Sequence, residues 1–480
     1  MNLFTVNFCI FMTIIFIIYW KIPNRYRWIL LLIASGFFYA GFGMKYLFLL
    51  GSAIVVSYVS GIVLQFMKNK RQKKLILTIS ILIFVCLLAF FKYTMFLIEN
   101  INILLRFFTI QLHPITTDVV LPVGISFYSF KIISYLIDVY RGMNPEKNLG
   151  KYALYVAFFP EISSGPIDRA GTLLQEISKE HKFKYEDVTY GLKRVAWGLF
   201  KKIVVADTLA FFVDWIYGDV YSYEGLTLLI ISVFFSIQIY CDFSGYSDMA
   251  IGLAQMLDIE LTENFSSPYF SRSIKEFWRR WHISLSRWFR DYVYIPLGGN
   301  RCNKVRHTVN LLITFLVSGL WHGASWTFVI WGGLHGMAQV IEGIWERSHC
   351  TRKEDSVWKQ IIRTLVVFCF CNFAWIFFRA DSLEQAGYFI THMFCGIGNP
   401  ISYVAQAHSD LIIDIFLFGK LAVMIMLVGV FDFVNRKRDV ITLIGKQRKI
   451  IRWTIYASFV FVTFMFLPVK PGTDFLYFKF

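Results

Sequence analysis

The sequence predicts an all-α, polytopic membrane protein built as one unit over residues 1–480, and three observations carry that reading. Hydrophobic residues make up 56% of the chain and charged residues only 17%, where soluble domains carry about a quarter charged residues. Apolar runs near the roughly 20 residues needed to cross a bilayer recur from one end to the other. Between them, lysine and arginine gather in alternate segments, as they do in cytoplasmic loops. The same composition excludes a disordered or secreted chain, and no separate soluble half is left over.

Twelve runs qualify as spans, at about residues 3–20, 28–43, 46–67, 75–98, 119–140, 203–217, 226–241, 308–321, 324–345, 361–378, 411–431 and 452–468. The sixth is short and holds Asp207 and Asp214, and only His322 and Gly323 divide the eighth from the ninth, so the number lies between ten and thirteen. The first run ends in Lys21 with no basic leader and no small-residue cleavage site, which reads as a retained span rather than a signal peptide. Residues 1–118 form N-terminal spans, 119–386 a motif-bearing core, and 387–480 the C-terminal spans and tail. With the N-terminus outside, 40 of the 48 Lys and Arg fall on the cytoplasmic side, which concentrates the net charge of +16 on one face. Both termini then lie outside the cytoplasm. The eight cysteines show no paired-ligand spacing; Cys369 and Cys371 form a C-x-C inside an apolar run and read as packed thiols, with no metal site and no disulfide framework.

Residues 273–292, SIKEFWRRWHISLSRWFRDY, separate into two helical faces. Phe277, Trp278, Trp281, Leu285, Trp288, Phe289 and Tyr292 fall on one, and Lys275, Arg279, Arg280, Ser286, Arg287 and Arg290 on the other. This pattern predicts an interfacial helix with its apolar side in the membrane boundary. Its cytoplasmic guanidinium face could hold a phosphorylated ligand through charge-assisted pairing, or it could simply meet anionic lipid. His282 sits at the border of the two faces.

Other polar groups lie in apolar surroundings. His322, in SGLWHGASW, is flanked by Trp321 and Trp326 and by Gly319 and Gly323. An ionisable residue at membrane depth is costly unless something uses it, and an imidazole can take a proton from a hydroxyl attacking an acyl group; the bland alternative is a packed, hydrogen-bonded histidine. His335, thirteen residues on, fits that alternative better. Asp242, Ser244, Tyr246, Ser247 and Asp248 in IYCDFSGYSDMA, and Asp138 with Tyr140 and Arg141, either form satisfied buried networks or line a watery path. Gly165 and Pro166 predict a broken or re-entrant segment.

Taken together, FWRRWHISLSRWFRDYVYIPLGGNR (277–301), LPVGISFYSFKIISYLIDVYRG (121–142), YCDFSGYSDMAIG (240–252), SGLWHGASWTFVIWGGLHG and AWIFFRADSLEQA (374–386) resemble the membrane-bound O-acyltransferase superfamily, closest to its alginate O-acetylation branch. The resemblance implies tilted and re-entrant helices around a central tunnel. It also implies an acyltransferase that uses cytoplasmic acetyl-coenzyme A to acetylate an extracytoplasmic polysaccharide such as an alginate-like polymer, cellulose or peptidoglycan. On the family pattern His322 is the catalytic histidine and His282 the second motif histidine. Lys275, Arg279, Arg280, Arg287 and Arg290 would lie near the donor, and Trp321, Trp326, Asp242, Ser244, Tyr246, Asp248 and His335 are the candidates for the tunnel wall. No metal is required. Membrane lipid is an expected partner and nucleic acid is not.

The last six residues, FLYFKF (475–480), could be an aromatic belt at the interface. The resemblance instead implies that Tyr477 carries the acyl group to an extracytoplasmic acetyltransferase partner; a phenol with a pKa near 10 needs a base to become a nucleophile. Two rivals stand beside this reading. A D-alanyl transferase acting on teichoic acid shares the fold but takes its acyl group from a carrier protein, and the tail in cis argues against it. A polysaccharide exporter without chemistry would leave both histidine motifs unexplained and shows no internal repeat here.

Overall fold

The computed structural model describes residues 3–108, 120–348, 356–412 and 414–466, and every regular element among them is helical. The chain is a multi-pass membrane protein. Among the described residues, five helices combine the length and apolarity of a bilayer crossing: Met44–Phe66, Lys70–Arg106, Leu226–Gln255, Val357–Arg379 and Phe416–Asn435. Several other expected spans form helices that are shorter or interrupted. The first is Val6–Lys21, and the run at 203–217 is shared between a π-helical Phe200–Ala206 and an α-helix Asp207–Gly218. Short and broken helices are tolerated at membrane depth where protein surrounds the freed backbone groups. The helices differ in burial: 17% of an 18-residue apolar stretch of Lys70–Arg106 is buried, with Leu75, Leu82, Phe90 and Leu104 on that helix exposed, against 72% of the corresponding stretch of Leu226–Gln255. Exposed leucine is costly in water and costs nothing in hydrocarbon.

By internal packing the chain divides into two compact units, Met1–Leu192 with Ala250–Thr262, and Lys193–Met249 with Glu263–Phe480. In the first, the N-terminal helix is tied to the 250–262 strip: the Tyr19 hydroxyl donates to the Leu257 carbonyl at 3.0 Å and the Trp20 indole N–H to that of Met256 at 3.3 Å. Residues 158–168 are buried without forming a helix, the broken segment expected from Gly165 and Pro166. A Cβ at Gly165 would stand 2.4 Å from the Glu161 Cα. Gly124 (φ 74°) has the same constraint, since a Cβ there would meet the Ile162 carbonyl oxygen at 2.0 Å. Within this stretch the buried Glu161 pairs with the buried Lys131, and the Asp168 carboxylate accepts the Thr262 backbone N–H at 3.1 Å. Asp138 and Arg141 form a looser pair at 3.8 Å near the surface.

In the second unit, Lys304–His322 and Trp326–Ser348 form an antiparallel helix pair, so the expected runs at 308–321 and 324–345 are separate elements. Small residues let their backbones touch: a Cβ on Gly319 would lie 2.2 Å from the Phe328 carbonyl oxygen, and one on Gly332 2.3 Å from that of Phe315. The pair is what places His322, the last residue of its helix.

Residues 273–292 correct the expectation of one interfacial helix. They form Ile274–Arg280, then Ile283–Phe289, then a π-helical turn Arg290–Tyr294. The break falls on His282, whose φ of 42° is left-handed. Phe277, Trp278, Trp281, Leu285, Trp288 and Phe289 are buried in protein rather than lipid. Aromatic rings pack among them, with Phe277 stacked on Trp281 at 5.5 Å and Trp375 tilted against Trp281 at 5.0 Å. Of the cysteines, Cys371 is buried and Cys369 exposed on the same helix, and both are free thiols.

Candidate active site

The break at His282 is held by one side chain that sequence reasoning missed. The buried Asn264 presents Oδ1 to three groups: the His282 ring at Nδ1 (3.0 Å), the Ser284 backbone N–H (3.3 Å) and the Ser284 hydroxyl (2.9 Å). Its Nδ2 donates to Ser247 Oγ at 3.1 Å, and its carbonyl accepts the Ile283 N–H at 2.9 Å. Upstream, Ser273 caps the first short helix by accepting the Glu276 N–H, while Glu276 accepts the Arg272 N–H and pairs with Arg280 at 2.8 Å.

A cavity of about 770 Å³ opens on the basic face of these helices, a size suited to an organic ligand. Lys275, Arg279, Arg287 and Arg290 line it, opposed by Glu342 and Glu346. Arg280, expected among them, does not: Glu276 and the Ser266 carbonyl hold it away. Arg290 is shared with Asp291 at 2.8 Å. The wall reaches Trp278 and Ser318, and Ser318 lies one helical turn before His322. His322 itself is buried at 3% exposure and does not line the cavity.

Around His322 the rings meet edge to face: Trp321 at 4.9 Å, Trp331 at 5.0 Å and Phe378 at 5.3 Å. The same Trp321 stands 6.2 Å from the His282 ring, so the two motif histidines share one aromatic neighbour. Trp331 in turn lies 5.0 Å from His335. His335 is fully buried and accepts the Trp278 indole N–H at Nδ1, 3.2 Å away, a structural anchor for the helix that carries the basic residues. Burial also holds the His282 imidazole well below the usual histidine pKa range, so its ring is neutral near pH 7.

The remaining tunnel-wall candidates stand elsewhere. Asp248 is bound by Arg194 at 2.9 Å and Lys201 at 2.6 Å, and Ser244 accepts from Lys201 at 2.8 Å. Asp242 pairs with Lys202 at 2.7 Å, and Lys202 also reaches Asp207 at 2.8 Å. These groups are an ion-paired network rather than part of the cavity wall. The π-helical register of Phe200–Ala206 lets adjacent lysines reach different carboxylates. Tyr246 is fully buried, and Trp326 is 52% exposed at the start of its helix. Lys201 and Lys202 were visible only as a pair at the edge of an apolar run, and Asn264 had no signal at all, because its partners lie 18 and 20 residues away. Tyr477 and the rest of FLYFKF lie outside the described residues.

The buried imidazole thus stands one turn from a basic, ligand-sized cavity, and the similarity of the chain to known proteins makes it a membrane acyltransferase. The chain belongs to the membrane-bound O-acyltransferase family, whose model matches residues 147–380. A peptidoglycan O-acetyltransferase of Helicobacter pylori is 38% identical over 383 residues, covering 74% of this chain and 71% of that one. A probable alginate O-acetylase AlgI of Azotobacter vinelandii is 39% identical over 381 residues, 78% of this chain and 74% of that one. A teichoic acid D-alanyltransferase of Streptococcus thermophilus is 30% identical over a shorter stretch, 48% of this chain.

Proposed function

We propose that this enzyme takes acetyl from acetyl-coenzyme A on the cytoplasmic side of a bacterial inner membrane and delivers it for O-acetylation of a polysaccharide outside. The observation that carries this reading is the cavity lined by Lys275, Arg279, Arg287 and Arg290 whose wall reaches within one turn of His322. Guanidinium and ammonium groups suit the phosphates of such a donor. The names of the O-acetylating relatives support the acetyl group and the polysaccharide acceptor. A thioester is already activated, so the protein has to position the reactants and supply a base, worth about 7 to 11 kcal/mol and about 10²- to 10⁴-fold respectively.

In this scheme His322 accepts the proton of the attacking hydroxyl as its oxygen bonds to the acetyl carbonyl carbon. The C–S bond then breaks, and the leaving thiolate takes the proton to give free coenzyme A thiol. The first acceptor is Tyr477 on a tail outside the membrane, with both termini on that side, and a secreted transferase moves the group on to the polymer. Membrane lipid surrounds the spans, and no step uses a metal.

Purified protein in vesicles is incubated with labelled acetyl-coenzyme A. Wild type releases free thiol and gains label; His322→Ala does neither, and Tyr477→Phe fails to support polymer acetylation. Thiol release that persists in His322→Ala defeats the assignment. Transfer from a D-alanyl carrier protein in place of acetyl-coenzyme A would indicate the teichoic acid reaction.

A further inference from the structure

The hydrogen bonds around Asn264 determine which nitrogen of His282 carries its proton. Asn264 Oδ1 accepts the Ser284 backbone N–H, which can only donate. Flipping the amide would set its NH₂ against that N–H and take away the donor to Ser247 Oγ at 3.1 Å. The atom facing His282 Nδ1 at 3.0 Å is therefore an oxygen, an acceptor. Nδ1 of a neutral ring must then be the donor, which leaves the lone pair on Nε2. That atom is buried and has no hydrogen-bond partner among the described residues.

The ring is fixed on its faces as well: Phe243 meets it edge-on at 4.6 Å, Phe265 lies roughly parallel at 6.5 Å and Trp321 stands at 6.2 Å. Asn264, His282, Ser247 and Ser284 are all buried, so water does not compete for these bonds. An acceptor left open at such depth is costly unless a ligand fills it.

We propose that Asn264 is a positioning residue of the acyl transfer: its side-chain oxygen holds His282 as the Nδ1–H tautomer, making Nε2 the accepting atom for an O–H or N–H of the reacting ligands, such as an amide of a pantetheine arm. This rests on the reading that His282 serves the reaction on the donor's approach. His335, whose buried Nε2 likewise has no hydrogen-bond partner among the described residues, differs in its tautomer. There the Trp278 indole, a donor only, occupies Nδ1 at 3.2 Å, so a neutral His335 carries its proton on Nε2. Two buried histidines are thus held in opposite tautomers by neighbours that leave no choice.

The full-length protein, labelled with ¹⁵N-histidine in lipid nanodiscs, reports the tautomer directly, with the His282 signals assigned by their loss in His282→Gln. Wild type is expected to show a protonated Nδ1 and a bare Nε2. Asn264→Leu, similar in shape but without the acceptor, is expected to lose that tautomer and to lower turnover by about 10²- to 10⁴-fold. Asn264→Asp keeps an acceptor oxygen, and is expected to keep the tautomer and stay within about tenfold of wild type. A proton on Nε2 in wild type overturns the proposal, as does lost turnover in Asn264→Leu with the tautomer unchanged, or an Asn264→Asp as inactive as Asn264→Leu. The wild-type spectrum and its His282→Gln assignment need no donor, so a misassigned donor leaves that measurement standing.

Discussion

Adding one methyl group at Gly319 tests whether the close helix pair is what positions His322. The Cβ of Gly319→Ala would lie 2.2 Å from the Phe328 carbonyl oxygen and 3.3 Å from the Gly332 Cα. Carbon-to-oxygen contacts settle at about 3.3 Å, so the helices must part by about 1 Å. Both sides of this contact are backbone, and no side chain can rotate away. Overpacking of this kind costs about 1 to 3 kcal/mol. The displacement falls one turn from His322, and misplacement by 1 Å can lower a rate by about 10²-fold. Gly333→Ala supplies the control: it is the same chemical change on the partner helix, but its Cβ meets only the Leu316 side chain at 3.7 Å, and replacing a helical glycine by alanine is otherwise favourable by up to about 1 kcal/mol. Thermal unfolding in detergent and thiol release from acetyl-coenzyme A are measured on both variants. Gly319→Ala should be the less stable and the slower, with Gly333→Ala at or above wild type. If the two behave alike, the backbone contact does not position His322 and the argument is wrong.

Two further outcomes are expected. Lys202→Met strands Asp207 and Asp242 without their shared cation and should cost about 3 to 5 kcal/mol of stability; a loss under about 1 kcal/mol would mean that water reaches the carboxylates. Arg279→Ala and Arg287→Ala should each raise the KM for the donor by about tenfold or more, whereas Arg280→Ala, tied to Glu276 outside the cavity, should leave it unchanged. A KM shift in Arg280→Ala equal to that in Arg287→Ala would show that the basic residues act as a general field rather than as a lining.

The chain's own order of residues determined that it is helical and lives in a membrane, because hydropathy and the distribution of lysine and arginine are sums over local segments. It also singled out His282, His322 and five basic residues, four of which line the cavity, since rare ionisable groups stand out against an apolar background. Local pattern could not reveal that residues 273–292 break at His282: their 3.6-residue periodicity continues through the break, and the left-handed turn is held by Asn264 from outside the segment. Nor could it distinguish Asp242 and Asp248 as partners of Lys202 and Lys201 from residues lining a path, because both readings place the same carboxylates in the same apolar run. Which neighbour satisfies a buried polar group is decided by contacts between distant parts of the chain. That choice, made only on folding, separates the ion-paired network from the cavity and sets the proton on one side of the His282 ring.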